Sequence, residues 1–215
     1  DDTSKTFTHK QYTDLASAQA DESLYTAENY AAVCDLLGFA PYQAHVFRLD
    51  KAGAIADALA EIARTVKTGW ITIAGQAAAD GLALSAWVKT QDNTKKKSYK
   101  AVCYNLTTAP DDMHVVNYVN TKVTFADDRG ERDGVQYLPS LCGIFAVCNV
   151  QRGCTNYLCS NLADVAEVAD NDAALGSGKF ILVHDEDGDV RIAQGINSMT
   201  TTDGKTRTED MQFIE

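Results

Sequence analysis

From Thr26 to Tyr104 the sequence alternates three times between a stretch with helical apolar spacing and a short strand-like run. That alternation restricts the chain to an α/β fold more firmly than any other feature it carries. Thr26 is placed to cap a helix starting at Ala27, where Tyr30, Val33, Cys34 and Leu37 fall at i, i+3, i+4 and i+7, and Gly38 ends it. Ala44 to Leu49 reads as a strand. Ile55, Leu59, Ile62, Ala63 and Val66 form the apolar face of a second helix, stopped by Gly69. Trp70 to Ala74 is a continuous apolar run with β-branched residues, which predicts a strand buried on both faces. Leu82, Leu84, Ala86, Trp87 and Val88 belong to a third helix ending near Asp92, and Tyr99 to Tyr104 is another strand. Two successive β-α-β units predict a mixed, mostly parallel sheet flanked by helices.

The remaining segments are less periodic. Residues 1–40 read as an N-terminal helical and extended lead-in, since the first 25 are polar with weak periodicity. Residues 41–215 carry the α/β core. Val115 to Val119 and Lys122 to Phe125 are expected strands, followed by a polar turn at Asp127 to Gly130. Pro139 opens a helix through Leu141, Ile144, Phe145 and Val147. A short helix is expected around Leu162 to Val168. Phe180 to His184 and Val190 to Ala193 flank the Asp185–Asp189 turn of a C-terminal β-hairpin, with Ile192 and Ile196 in the core. Because residue 1 is Asp and the strand-like run Asp210–Glu215 stops in mid-pattern, the chain is expected to be a fragment of something longer.

Charge narrows the function. Lys and Arg total 19 against 30 Asp and Glu, a net −11, which argues against coating nucleic acid. The one basic run, Lys95–Lys97, lies beside Asp92 and Asn93 and is read as a solvated loop tip. No apolar run reaches the roughly 18 residues a membrane helix needs. The six cysteines include no C-x-x-C and match no zinc pattern, so they are read as reduced thiols. A Cys154–Cys159 bond is sterically conceivable.

Gly75 and Gly81 frame a turn after a strand, but the spacing is neither G-x-G-x-x-G nor a P-loop. Asp185, Asp187 and Asp189 alternate like a calcium loop, yet Gly188 is fourth rather than sixth, and Ile196 stands where a chelating Glu belongs. A hairpin turn is preferred. His9, His45, His114 and His184 fall in no metal-hydrolase spacing. Cys103 and His45 could form a nucleophile pair only if neighbouring strands brought them together. No catalytic, cofactor or metal residue is assigned, and no cofactor is expected. The β-α-β units keep an α/β enzyme or nucleotide-binding protein as the alternative.

The C-terminal third carries a resemblance. Tyr137-Leu138-Pro139-Ser140-Leu141-Cys142-Gly143-Ile144-Phe145-Ala146 resembles a helix of contractile tail sheath proteins. Gly178-Lys179-Phe180-Ile181-Leu182-Val183 is similar to a strand of that family, and Arg191–Thr201 to its "R-A-GVNSLTT" segment. Trp70–Gly75, Ala86–Lys89 and Tyr99–Asn105 follow in the family's order and spacing, so the resemblance runs from about residue 41 to 215. It is closest to sheath proteins of phage-like elements of Gram-positive bacteria. The resemblance implies a subtilisin-like sheath core and the beginning of a C-terminal sheath domain. It further implies a structural subunit that forms hexameric rings around a tail tube and contracts to drive the tube through a cell envelope. The implied partners are neighbouring sheath subunits, the tube protein and the baseplate, with no nucleic acid and no membrane. The implied setting is a virion tail or phage-like particle, assembled in the bacterial host cytoplasm. No protease triad is recognisable, and the family's terminal arms, which lend strands to neighbouring sheets, are expected to be left out of this stretch.

Overall fold

A computed structural model describes residues 6–49, 53–108, 110–149 and 151–201. The chain begins with β1 (His9–Tyr12), α1 (Leu15–Gln19), a 3-10 turn, α2 (Ala27–Leu37), β2 (Ala44–Phe47) and α3 (Ile55–Thr65). Next come β3 (Gly69–Ile71), α4 (Ala78–Lys95), β4 (Tyr99–Tyr104), β5 (Val115–Tyr118), β6 (Lys122–Phe125) and β7 (Glu131–Asp133). A second 3-10 turn leads into α5 (Leu138–Val147), then β8 (Leu162–Val165), α6 (Asn171–Gly176), β9 (Lys179–Phe180), β10 (Leu182–His184) and β11 (Val190–Ile192).

The architecture is mixed α/β. A four-stranded sheet, ordered β3-β4-β5-β9, is parallel throughout. The β1-β2 pair, the β10-β11 hairpin and the β7-β6-β8 sheet are all antiparallel. The expectation of a mostly parallel sheet therefore describes the central sheet and not the chain as a whole. One of the two expected β-α-β units forms: β3-α4-β4 crosses over to a parallel pair. In the other, β2 does not join β3. It pairs instead with β1, His9 opposite Phe47 and Tyr12 opposite Ala44. Tyr12 explains the preference, since it is buried with its hydroxyl 2.7 Å from that of Tyr25.

Other differences have local causes. β3 is half-buried at the sheet edge and ends at Ile71, so Trp70–Ala74 is not a strand enclosed on both faces. The third helix runs to Lys95, with Asp92 and Asn93 inside it, and Lys96 closes it at φ +53°. The stretch expected as a helix near Leu162 is the strand β8, because Val165 lies opposite Val123 of β6. The helix comes later, at α6, capped by Asp170, whose side chain accepts from the Ala173 N–H at 2.9 Å. Thr26 caps α2, accepting from the Asn29 N–H at 3.3 Å, and Gly38 follows its end. Ile192 and Ile196 are buried as expected. The run Asp210–Glu215 lies outside the described residues.

The main core packs α5 against the central sheet through Leu141, Ile144 and Phe145, together with Tyr118, Phe125 and Phe180. α4 covers another part with Leu84 and Val88 against Tyr99, Ala101 and Cys103. α2 crosses α5 at Gly143, where an added Cβ would lie 2.4 Å from the Leu36 carbonyl oxygen.

Candidate assembly surface

Of the four histidines, His9 and His45 meet, and neither is joined by Cys103. Cys103, on β4, is buried, and its thiol points at the Gly81 carbonyl at 3.6 Å; burial pushes it up to about 12, where it stays protonated. His45 lies in the β1-β2 pair, with its Nδ1 2.9 Å from Nε2 of His9 and the two rings stacked. The pair Cys103–His45 is not brought together. Burial lowers the pKa of both His9 and His45. His114 is held by Asp112 at 3.1 Å, and His184 by Glu167 at 2.8 Å and Asp164 at 2.9 Å. These contacts raise both histidines above 6.5.

Gly75 lies in the turn before α4 and Gly81 in the first turns of that helix, and protein atoms fill the space between them. Gln76 Oε1 accepts from the Tyr104 N–H at 2.8 Å and sits where a side chain on Gly81 would point. In the Asp185–Asp189 turn, Asp185 Oδ1 accepts from the N–H groups of Asp187 and Asp189, at 3.0 and 2.9 Å, and its other oxygen accepts from Arg191 Nε. That carboxylate serves the hairpin. Among the described residues no group of three or more His, Cys, Asp or Glu is arranged to hold a metal ion, and no helix is long and apolar enough to cross a membrane.

The sequence segments that carry the resemblance do converge. The Ser198 N–H donates to the Val115 carbonyl at 2.7 Å, and its hydroxyl donates to the Asp112 carbonyl at 2.9 Å. Asp111 accepts from the N–H groups of Thr200 and Thr201, at 2.7 and 2.9 Å, which drives its carboxyl far below the usual range. Gly178 adopts φ +77° with its Cα face against the Ser198 carbonyl, so both conformation and space require glycine there. The segment Asn197–Thr201 is thus a lock across the start of β5. Arg129 makes a second lock. Its guanidinium forks onto Asp35 at 2.7 and 2.8 Å, contacts Asp127 and lies 3.7 Å over the Phe125 ring, joining the β6–β7 turn to α2.

Where β2 fails to join β3, a cleft of about 660 Å3 opens. Ala44 and Val46 of β2, Ile55 and Leu59 of α3, and Trp70 and Ile71 of β3 line it, and the 91% exposed Tyr42 stands on its rim. Among the described residues no strand pairs with the outer edge of β3 or of β2. Open strand edges beside apolar walls are the features that β-strand addition uses. Sequence reading missed this surface because it placed β2 in the central sheet, and β1, with the sequence His-Lys-Gln-Tyr, carries too little apolar pattern to announce itself.

No family model and no curated protein matches the sequence. Solved structures do. The contracted helical sheath of the anti-feeding prophage aligns over 98% of this chain and 62% of its own, with TM-score 0.69 at 12% identity. The chain has the fold of contractile tail sheath proteins. The sheath tail protein of Desulfitobacterium hafniense aligns over 80% of this chain with TM-score 0.64 at 19% identity, and that of Listeria innocua over 79% with TM-score 0.61 at 21%. The chain spans 46% and 40% of the lengths of those two sheath proteins. Within this sheath fold the Gly178 and Asn197–Thr201 segments act as structural locks, with their donors turned onto the start of β5 and the loop before it.

Proposed function

We propose that this chain is part of a non-catalytic subunit of a contractile tail sheath, which stacks as hexameric rings around a tail tube and contracts to drive it through a cell envelope. The observation that carries the reading is the shared fold with an assembled helical sheath over 98% of the chain. Residues 41–215 supply the α/β core and the beginning of the C-terminal sheath domain, and residues 1–40 the lead-in. The parallel β3-β4-β5-β9 sheet is the part that a subtilisin-like sheath core would contribute. Partners are neighbouring subunits, the tube protein and the baseplate, without nucleic acid or membrane, in a tail or phage-like particle assembled in the host cytoplasm.

The physics supports this use. Head-to-tail interfaces that do not close on themselves build helices. Contraction requires rigid bodies that re-dock between two packings, and the locks at Asp111, Arg129 and Ser198 make this body rigid. The acidic surface, net −11, suits wet contacts that break and re-form. Negative-stain microscopy of the full-length parent protein, expressed with its tube protein, should show striated tubes or rings. Protein that stays monomeric under those conditions overturns the reading.

A further inference from the structure

Two cysteines meet where the chain leaves α5. Cys148 follows the last residue of α5, with its N–H on the carbonyls of Ile144 and Phe145. The chain then reverses, because Asn149 and Arg152 exchange both backbone hydrogen bonds, at 3.0 and 2.9 Å. The reversal brings Cys154 back beside Cys148, and Cys148 packs against the same core cluster that holds Cys154. Cys154 is fully buried in the main core while Cys148 stays half-buried at its margin, open to solvent on one side. The loop beyond Cys154 is docked on the C-terminal hairpin: the Asn156 N–H donates to the Ile192 carbonyl at 2.9 Å, and Thr155 Oγ1 accepts from Gly195.

We propose that Cys148 and Cys154 form a redox-responsive dithiol, which a small external disulfide such as oxidised glutathione closes into a Cys148–Cys154 bond. The Cys148 thiolate attacks one sulfur of glutathione disulfide; that S–S bond breaks, and one glutathione leaves as thiolate. Cys154 gives its proton to the departing thiolate and attacks the Cys148 sulfur, expelling the second glutathione. The protein dithiol loses two electrons and the reagent gains them. Roles follow from the surroundings. The Cys154 thiol and the Arg152 guanidinium, itself 5.2 Å over the Tyr157 ring, both favour the Cys148 thiolate. Cys142 and Cys159 are buried, with thiols pushed up to about 12, so they remain protonated and unreactive. The Cys159 sulfur points at the Tyr157 carbonyl at 3.9 Å, so the structure favours Cys148 over Cys159 as the partner of Cys154.

Trypsin tests the pairing directly, because it cuts after Arg152, between the two cysteines. The folded chain is incubated with oxidised glutathione, remaining thiols are alkylated, and a non-reducing digest is read by mass spectrometry. The expected product is peptide Asp133–Arg152 joined to peptide Gly153–Lys179, with fragment ions placing the link at Cys148 and Cys154. It should vanish on reduction and be absent in Cys148→Ser. A link to Cys142 or Cys159, a glutathione adduct on Cys148 that never resolves, or full alkylation of both cysteines in the wild-type chain overturns the proposal. Since the readout comes from the wild-type chain, it stands even if the variant folds poorly.

Discussion

Asn120 shows how one side chain can replace a missing strand partner. It is fully buried; its amide N–H groups reach the carbonyls of Ala166 and Leu182, both at 3.0 Å, and its oxygen accepts from the Leu182 N–H at 2.8 Å. β9 and β10 belong to different sheets and are separated at Ile181, and Asn120 supplies hydrogen bonds to Leu182 just beyond that break. Its own carbonyl packs so tightly on Gly134 that a Cβ there would sit 1.9 Å away. Asn120→Ala would leave two carbonyls and one N–H buried without partners, costing about 3 kcal/mol. The measurement is a lower urea midpoint with an unchanged slope. None of this is legible in Val119-Asn120-Thr121, where an asparagine between strands reads as an ordinary turn residue. Its partners lie 46 and 62 residues away.

Helices and strands divide by how much of their pattern is local. α2, β4 and α5 match their sequence expectations closely because capping, alternation and helical spacing act within a few residues. β8 does not: Leu162 and Val165 are three apart, which fits a helix, and only pairing with β6 makes them the buried positions of a strand. The crossing of α2 on α5 belongs to the same class, since it depends on Gly143 having no side chain against Leu36 and Phe39. Gly143→Ala should force the helices apart and destabilise the chain by about 1–3 kcal/mol. The melting midpoint should fall by about 2–4 °C for each kcal/mol in a chain of this size. The reversal at Asn149 and Arg152 belongs to the same class: spacing leaves a Cys154–Cys159 bond conceivable, and the structure holds both as free thiols.

Two groups of histidines give the molecule opposing responses to pH. His184 is raised above 6.5, first by its hydrogen bond to Glu167 and then by Asp164, against the effect of burial. A raised histidine contributes stability that is fully present below 6.5 and lost as pH rises through its folded value. Glu167, lowered from 4.5 by His184, contributes stability above 4.5 that is lost as pH falls through its own folded value. His9 and His45 are lowered by burial, so the unfolded chain binds protons more readily, and stability falls as pH drops below 6.5. Urea midpoints measured from about pH 5 to pH 8 should separate the two. His45→Phe should shrink the acid-side loss, and His184→Gln should shrink the alkaline-side loss, the remainder belonging to His114, which Asp112 also raises. An unchanged profile in both variants would contradict the assignment.

What the amino-acid order determined unaided is the α/β class, the strongest helices and strands, and the ordered segments that resemble a sheath protein. Those signals are local, because periodicity and capping report which face of an element is apolar. They do not report which element covers that face. The pairing of β2 with β1 rather than β3, the cleft this leaves, and the antiparallel pairing of the smaller sheets were settled by tertiary structure. Each depends on contacts between residues tens of positions apart, such as His9 with Phe47 and Val123 with Val165, whose energies exist only once the chain has closed.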